Sequence, residues 1–356
     1  MAQYFILYFV ILFYLAITKR YSQRSGVLIP IILFFFLFFA FRVGFTPDYY
    51  NYEEYYNRCH FSSIDFDSPI EIGFQWLCQV LPSYRALIII YTALFSVCIY
   101  IAMQYYIERR YWILAITILF LFSPFVLGNM SGMRSGIVTC LFFIAILLRT
   151  KFKMGYFIFS VGIMFIAFLF HRSAIALFPL IFFPKRPISN RIKYLVYIFA
   201  MLFIIVCSFF GDQLNRLALL ISDDFFEGRY DMYSDNYALS RFSMYLILKV
   251  IIVSILLYIT LKYTQIEKNV FKNFFIKNTA VLYFFLLAPQ GIGLIARYQY
   301  YFAFPCIIGI PFILGGADRK TRIVYLLGLS FLALWNLFFL FRGGIEYYLD
   351  YKSVLF

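Results

Sequence analysis

Long apolar runs alternate with short polar connections along this chain. The runs occupy approximately residues 2–18, 27–41, 86–104, 111–128, 133–148, 154–170, 173–184, 194–210, 242–261, 278–296, 298–316 and 323–341. At about 1.5 Å of helical rise per residue, most of them match a ~30 Å hydrocarbon layer. The pattern predicts an all-α, polytopic transmembrane bundle of about twelve segments. It forms one integral-membrane domain over residues 1–356. The run 2–18 lacks a basic segment ahead of it and a small-residue cleavage site behind it, so it is expected to be an uncleaved first span.

Alternate connections are basic: Lys19, Arg20 and Arg24; Arg109 and Arg110; Arg149, Lys151 and Lys153; Lys185, Arg186, Arg191 and Lys193; Lys262, Lys268, Lys272 and Lys277; Arg319, Lys320 and Arg322. Only Glu108, Glu267 and Asp318 share that side. The positive-inside rule makes it cytoplasmic and puts the N-terminus outside. Two long segments, 42–85 and 211–241, then lie on the outer face, each mixing acids with aromatics.

Residues 154–184 start and end at basic connections, so they are predicted to go out and return as a short hairpin. An ascending arm of 17 residues rises about 25 Å and a descending arm of 12 only about 18 Å, which is less than the hydrocarbon thickness. The turn is therefore expected below the outer surface. It carries His171, Arg172 and Ser173, and ionisable groups at that depth belong in a protein cavity. His171 reads either as a hydrogen-bonded structural residue or as a proton acceptor beside an anion-binding arginine.

Composition agrees with a lipid setting, since 64% of residues are hydrophobic and only 13% charged, against roughly 25% charged in a soluble domain. The net charge of +14 sits mostly on the alternate connections, so it does not indicate nucleic acid. No CxxC spacing or glycine-rich nucleotide loop occurs, and neither a metal nor a cofactor is expected. Cys98, Cys140, Cys207 and Cys306 fall inside apolar runs; Cys59 and Cys78 are outer residues, read as two free thiols or as a disulfide.

Of the twelve basic residues off the basic connections, ten are arginine, a residue suited to phosphate and carboxylate partners. Arg42, Arg134, Arg172 and Arg297 reach the same outer level from separate spans, as a clamp for a lipid diphosphate would require; pairing with the outer acids is the alternative. Lys249 lies well within a span, as a proton or anion site or paired with an acid. Tyr52, Tyr55 and Tyr56 share a helical face that suits an interfacial belt or a platform for sugar rings.

The ordered set FRVGFTPDYYNY (41–52), EIGFQWL (71–77), MRSGIVTCLFFIA (133–145), FHRSAIALFP (170–179), ARYQYYF (296–302) and LDYKSVLF (349–356) resembles the EpsG-like family of Wzy-type polysaccharide polymerases over nearly the whole chain. Pro47 is inserted before Asp48, and Ser135 follows Arg134 where the family commonly has Gln. The resemblance implies a multi-pass enzyme of the bacterial inner membrane that joins oligosaccharide repeat units carried on undecaprenyl diphosphate, working on its periplasmic face. Its partners would be lipid-linked glycan donor and acceptor, the bilayer and a chain-length regulator protein. His171 is the expected base, with Asp48 or Glu71 as orienting or substitute carboxylate. Arg134, Arg172 and Arg297, with Arg42 as a fourth, are expected to hold the diphosphate, and Tyr52 and Tyr298 to contact substrate. The rival readings are a flippase for the same lipid-linked glycans, an O-antigen ligase and a membrane acyltransferase acting through His171.

Overall fold

The computed structural model describes residues 2–18, 25–66, 68, 70–122, 124–150, 154–184, 186–206, 244–287, 298–339 and 352–354. Helix α1 (Ala2–Thr18) packs beside α2 (Leu28–Ala40); a roof of α3 (Tyr49–His60) and α4 (Ile72–Val80) follows, and then α5 (Tyr84–Ile101). The chain continues through α6 (Trp112–Leu121), the short α7 (Asn129–Ser131), α8 (Met133–Arg149) and α9 (Met154–Phe170). After a 3-10 turn (Arg172–Leu177) come α10 (Phe178–Ile181) and α11 (190–206). The described chain then resumes with α12 (Met244–Ile266), α13 (Val270–Leu287), a 3-10 turn (Tyr298–Phe302), α14 (Ala303–Gly316) and α15 (Arg319–Phe339).

The protein is a helical membrane protein. Five helices among the described residues are long and apolar enough to cross a bilayer, or six if the bent pair Arg109–Leu121 and Pro124–Ser131 is one span. The expectation of about twelve is not reached by that measure, for two reasons. Several apolar runs form helices of 10–17 residues, including Ala2–Thr18, Leu28–Ala40, Gly155–Phe170 and Arg172–Ile181. The run 111–128 is broken after α6, where Phe122 turns extended (ψ 92) ahead of Pro124, and the chain bends by 63°. Pro124 has no backbone N–H to donate into the preceding turn, which favours a break here.

The expected hairpin is present. Helix α9 ends as His171 N donates to Ala167 O at 3.0 Å, His171 turns extended, and the return arm is a 3-10 turn leading into α10. Long-range hydrogen bonds then define two ends of the bundle. Arg149 Nε donates to Ile181 O at 2.7 Å, and Lys277 Nζ to the carbonyls of Pro184 and Arg186, so basic connections gather at one end. Helix α8 runs from there to Arg134, about 25 Å away for its 17 residues. Tyr4 bonds to Phe120 O and Tyr8 to Thr117, so α1 runs antiparallel to α6 and its first residues lie at the end opposite Arg109 and Arg110.

One departure from an all-α fold is a two-residue antiparallel ladder. Strand β1 (Arg42–Val43) pairs with β2 (Lys352–Ser353), and Val354 N donates to Phe41 O at 3.0 Å. Gly44 follows β1 with φ 63, a conformation that only glycine adopts readily, and a Cβ there would strike the Tyr50 ring. The long segment expected over 211–241 lies outside the described residues.

Candidate functional site

Gly73, in the first turn of α4, starts the construction of the site. A Cβ at this position would lie 2.8 Å from the carbonyl oxygen of Leu169, so glycine permits α4 to rest on the last turn of α9. That close approach brings Glu71, the extended residue capping α4 (φ −63, ψ 144), against His171 two residues beyond Leu169.

Glu71 is the hub. Its Oε1 accepts from His171 Nδ1 at 2.9 Å and from the Arg172 backbone N–H at 3.3 Å, while Oε2 pairs with Arg134 Nη1. Its side chain is only 6% exposed, against 17% for Arg134 and 27% for His171. Burial pushes the Glu71 carboxyl up, but the Arg134 guanidinium and the His171 ring outweigh it and hold the group well below the usual carboxylate range. An ionised carboxylate only accepts, so His171 Nδ1 must carry the hydrogen between them. Nε2, the other ring nitrogen, meets no partner among the described residues.

Arg134 is positioned by α3. Its guanidinium lies 5.7 Å from the centre of the Tyr52 ring and 5.8 Å from that of Tyr55, and its Nε donates to the Tyr52 hydroxyl at 3.4 Å. Helix α8 begins only at Met133, after Gly132 breaks from helical geometry (ψ 80), so Arg134 projects from the first turn toward the roof. Arg134 and His171, 63 and 100 residues from Glu71 in sequence, thus meet on its one carboxylate. The residues are those of EIGFQWL, MRSG and FHRS, and a model of the EpsG family matches residues 27–353.

The chain belongs to the EpsG family. No curated protein and no solved structure matches it.

Other EpsG-like motif residues take different places. Asp48 accepts from Ser131 Oγ at 2.8 Å and returns its backbone N–H to the same oxygen at 3.3 Å, tying the roof to α7. Of the two carboxylates considered for orienting His171, Glu71 alone is bonded to it among the described residues. Tyr52 is buried against Arg134, which fits neither a membrane belt nor an open sugar platform; Tyr56 is also buried, its hydroxyl donating to Leu81 O at 2.6 Å.

Arg42 differs most from a diphosphate clamp. It is 1% exposed, with one terminal nitrogen on Phe39 O and the other on Met130 O at 2.8 Å, while Arg85 binds its own carbonyl at 2.7 Å. Its two terminal nitrogens close the C-terminal end of α2 onto α7, while Nε is buried without a hydrogen-bond partner among the described residues. Its guanidinium is a strut.

Arg172 follows His171 with its side chain partly exposed. Arg297 lies outside the described residues. Tyr298 opens the 3-10 turn after it and stacks on Phe285 at 5.5 Å between ring centres. In the same turn the Tyr301 hydroxyl meets Ser173 Oγ at 2.5 Å, which draws residues 298–302 to the hairpin turn. Lys249 is buried in α12 and pairs with no acid among the described residues.

Sequence reading passed over three contributors. Ser131 holds Asp48, Tyr301 holds Ser173, and Asn129 links α7 to the Tyr298–Phe302 turn by donating to Tyr300 O at 3.0 Å while accepting from Thr139 Oγ1 at 2.8 Å. Ser131 and Tyr301 stand inside or beside the quoted motifs, which was the available signal; Asn129 had none. Among the described residues no group of three or more His, Cys, Asp or Glu is placed to hold a metal.

Proposed function

We propose that this protein is a polysaccharide polymerase that transfers a lipid-diphosphate-linked glycan onto a hydroxyl of another lipid-linked repeat unit, at the outer face of the bacterial inner membrane. The observation that carries the reading is the Glu71 hub, with His171 Nδ1 fixed on a buried carboxylate and Nε2 left open. Family membership supports the same class of reaction.

In this reading the acceptor hydroxyl gives its proton to His171 Nε2 as its oxygen attacks the anomeric carbon. The bond from that carbon to the diphosphate oxygen breaks, and the undecaprenyl diphosphate leaves with the bonding electrons. Glu71 stabilises the imidazolium that forms, as an ionised partner on Nδ1 does in hydrolytic triads. Arg134 keeps Nη2 for the leaving diphosphate, with Arg172 and Arg297 as the further cations. Tyr298 is the aromatic candidate for the glycan; Tyr52 acts by holding Arg134.

The test is a deletion strain complemented with His171→Ala, its surface glycans resolved on a gel. Single repeat units without the ladder are expected, with the protein still inserted in the membrane. A normal ladder removes His171 from the chemistry. Unattached long polymer points to a ligase, and loss of outward-facing lipid-linked units points to a flippase.

A further inference from the structure

The two roof helices present different surfaces. Beside Tyr50, the exposed residues of α3 are Asn51, Glu54, Asn57 and Arg58, and Glu54 pairs with Arg58 in the open. Helix α4 carries no charged residue over its nine positions. Its outward stripe is Ile72, Trp76 and Val80, spaced i, i+4 and i+8, with Trp76 51% and Val80 57% exposed. The two polar side chains of α4 are occupied by the loop that returns from α3. Gln75 Nε2 donates to Asp65 O at 2.8 Å while its Oε1 accepts from Asp65 N at 2.9 Å, and Gln79 donates to Ser62 O at 2.7 Å. The stripe therefore offers water nothing but apolar side chains, which is unfavourable.

The neighbouring surface indicates what covers it. Through Gly73, α4 rests on the last turn of α9, where Phe165 and Leu169 are 60% and 44% exposed in a helix without a charged residue. In a membrane protein such a face meets acyl chains, and the apolar surface continues from α9 onto α4. At about 13 Å, α4 is too short to cross the layer itself.

We infer that α4 is an interfacial helix that docks on the lipid bilayer, lying along one leaflet at the boundary of headgroups and acyl chains with Trp76 as its anchor. Tryptophan favours that boundary because its ring is apolar and its N–H is polar. The loop beside α4 has the matching mixture, exposing Phe61 and Phe66 together with Ser62, Ser63 and Asp65. The inference rests on the fold and not on the polymerase chemistry, which it deepens in one respect. Glu71 caps α4, so the Glu71 hub is held at headgroup depth, where the diphosphate of a lipid-linked glycan stands while its tail stays in the leaflet.

The test is spin labelling of Trp76→Cys, Val80→Cys, Asn57→Cys and Phe165→Cys in the full-length protein, reconstituted in liposomes of phosphatidylethanolamine and phosphatidylglycerol. All four positions are exposed, and the labelled parent protein supplies the background. Electron paramagnetic resonance reads the ratio of collisions with oxygen, which enters lipid, to collisions with a water-soluble nickel chelate. The ratio is expected to be highest at 165, intermediate at 76 and 80, and lowest at 57. A ratio at 76 and 80 as low as that at 57 puts the stripe in water and overturns the inference. Few collisions with either probe mean that protein covers the stripe, as a second copy of the chain would, and overturn it too. A ratio at 76 equal to that at 165 sinks α4 into the acyl core and removes it from the boundary. The glycan ladder of the His171→Ala strain decides the polymerase reading separately, since that variant leaves the collision ratios unchanged.

Discussion

Two buried polar clusters in this protein solve the same problem in opposite ways. Among α12, α13 and α15, the Tyr325 hydroxyl meets Thr260 Oγ1 at 3.0 Å and the Tyr283 hydroxyl at 2.9 Å, with all three residues fully buried. Those groups are neutral and satisfy one another, so the cluster locks helices together without burying a charge. The Glu71 cluster buries a carboxylate and a guanidinium, whose desolvation offsets much of their attraction. It also leaves one imidazole nitrogen open. A costly arrangement that is not closed on itself is the mark of a site, whereas the hydroxyl cluster is architecture.

The largest effect that separates the two is expected from Glu71→Gln. Removing one partner of a buried ion pair costs about 3–5 kcal/mol. The amide also donates to Nδ1, which moves the ring hydrogen onto Nε2 and removes the lone pair. Ladder synthesis in membranes should fall by about 10³–10⁴-fold, the size of a wrong-tautomer defect. Retained chain growth shows that the two clusters are alike in being structural.

Arg134→Lys should come next. Lysine keeps the charge but loses the Nε donor to Tyr52 and the planar fork held between two tyrosine rings. Polymerisation in the same assay is expected to drop about 10²–10³-fold, as for loss of one preorganised donor. Full activity removes the guanidinium from the proposed diphosphate clamp.

Much of this cluster was legible in the sequence because its members are rare residues in a rare setting. An imidazole and an arginine at the turn of a hairpin too short for the bilayer stand out from composition alone, and Arg134 opening an apolar run stands out likewise. Which carboxylate partners the imidazole was left open between Asp48 and Glu71. Glu71 reaches His171 only because Gly73 admits the Leu169 carbonyl, a tertiary contact that leaves no trace in hydropathy. Arg42 resembled Arg134 in sequence but turned inward to two carbonyls, and Tyr52 belonged to neither of the roles its helical face suggested. Hydropathy also counted apolar runs without seeing where they break, as at Phe122, or that a two-residue strand pairs Arg42 with Ser353 and Val43 with Lys352.

Acid titration sharpens the contrast further. The folded Glu71 carboxyl lies below its unfolded value, so its stabilisation is fully present above about pH 4.3 and is lost only as pH falls toward the folded value. Thermal unfolding in detergent should therefore show a deficit for Glu71→Gln that narrows in strong acid. A deficit that stays the same in strong acid means that the carboxyl is not held ionised by Arg134 and His171.

The smallest effect on function is expected from Tyr325→Phe, which breaks the other cluster. Removing that hydroxyl leaves Thr260 without its Tyr325 partner and Tyr283 without a hydroxyl to bond, in an interior that water does not reach. An unsatisfied buried polar group costs about 1–3 kcal/mol, so the unfolding temperature should fall measurably. The glycan ladder should keep its length and intensity at permissive temperature, because the hydroxyl joins helices and touches no substrate. If the ladder shortens while the protein stays folded, the hydroxyl cluster has a part in the reaction and the division between architecture and site fails.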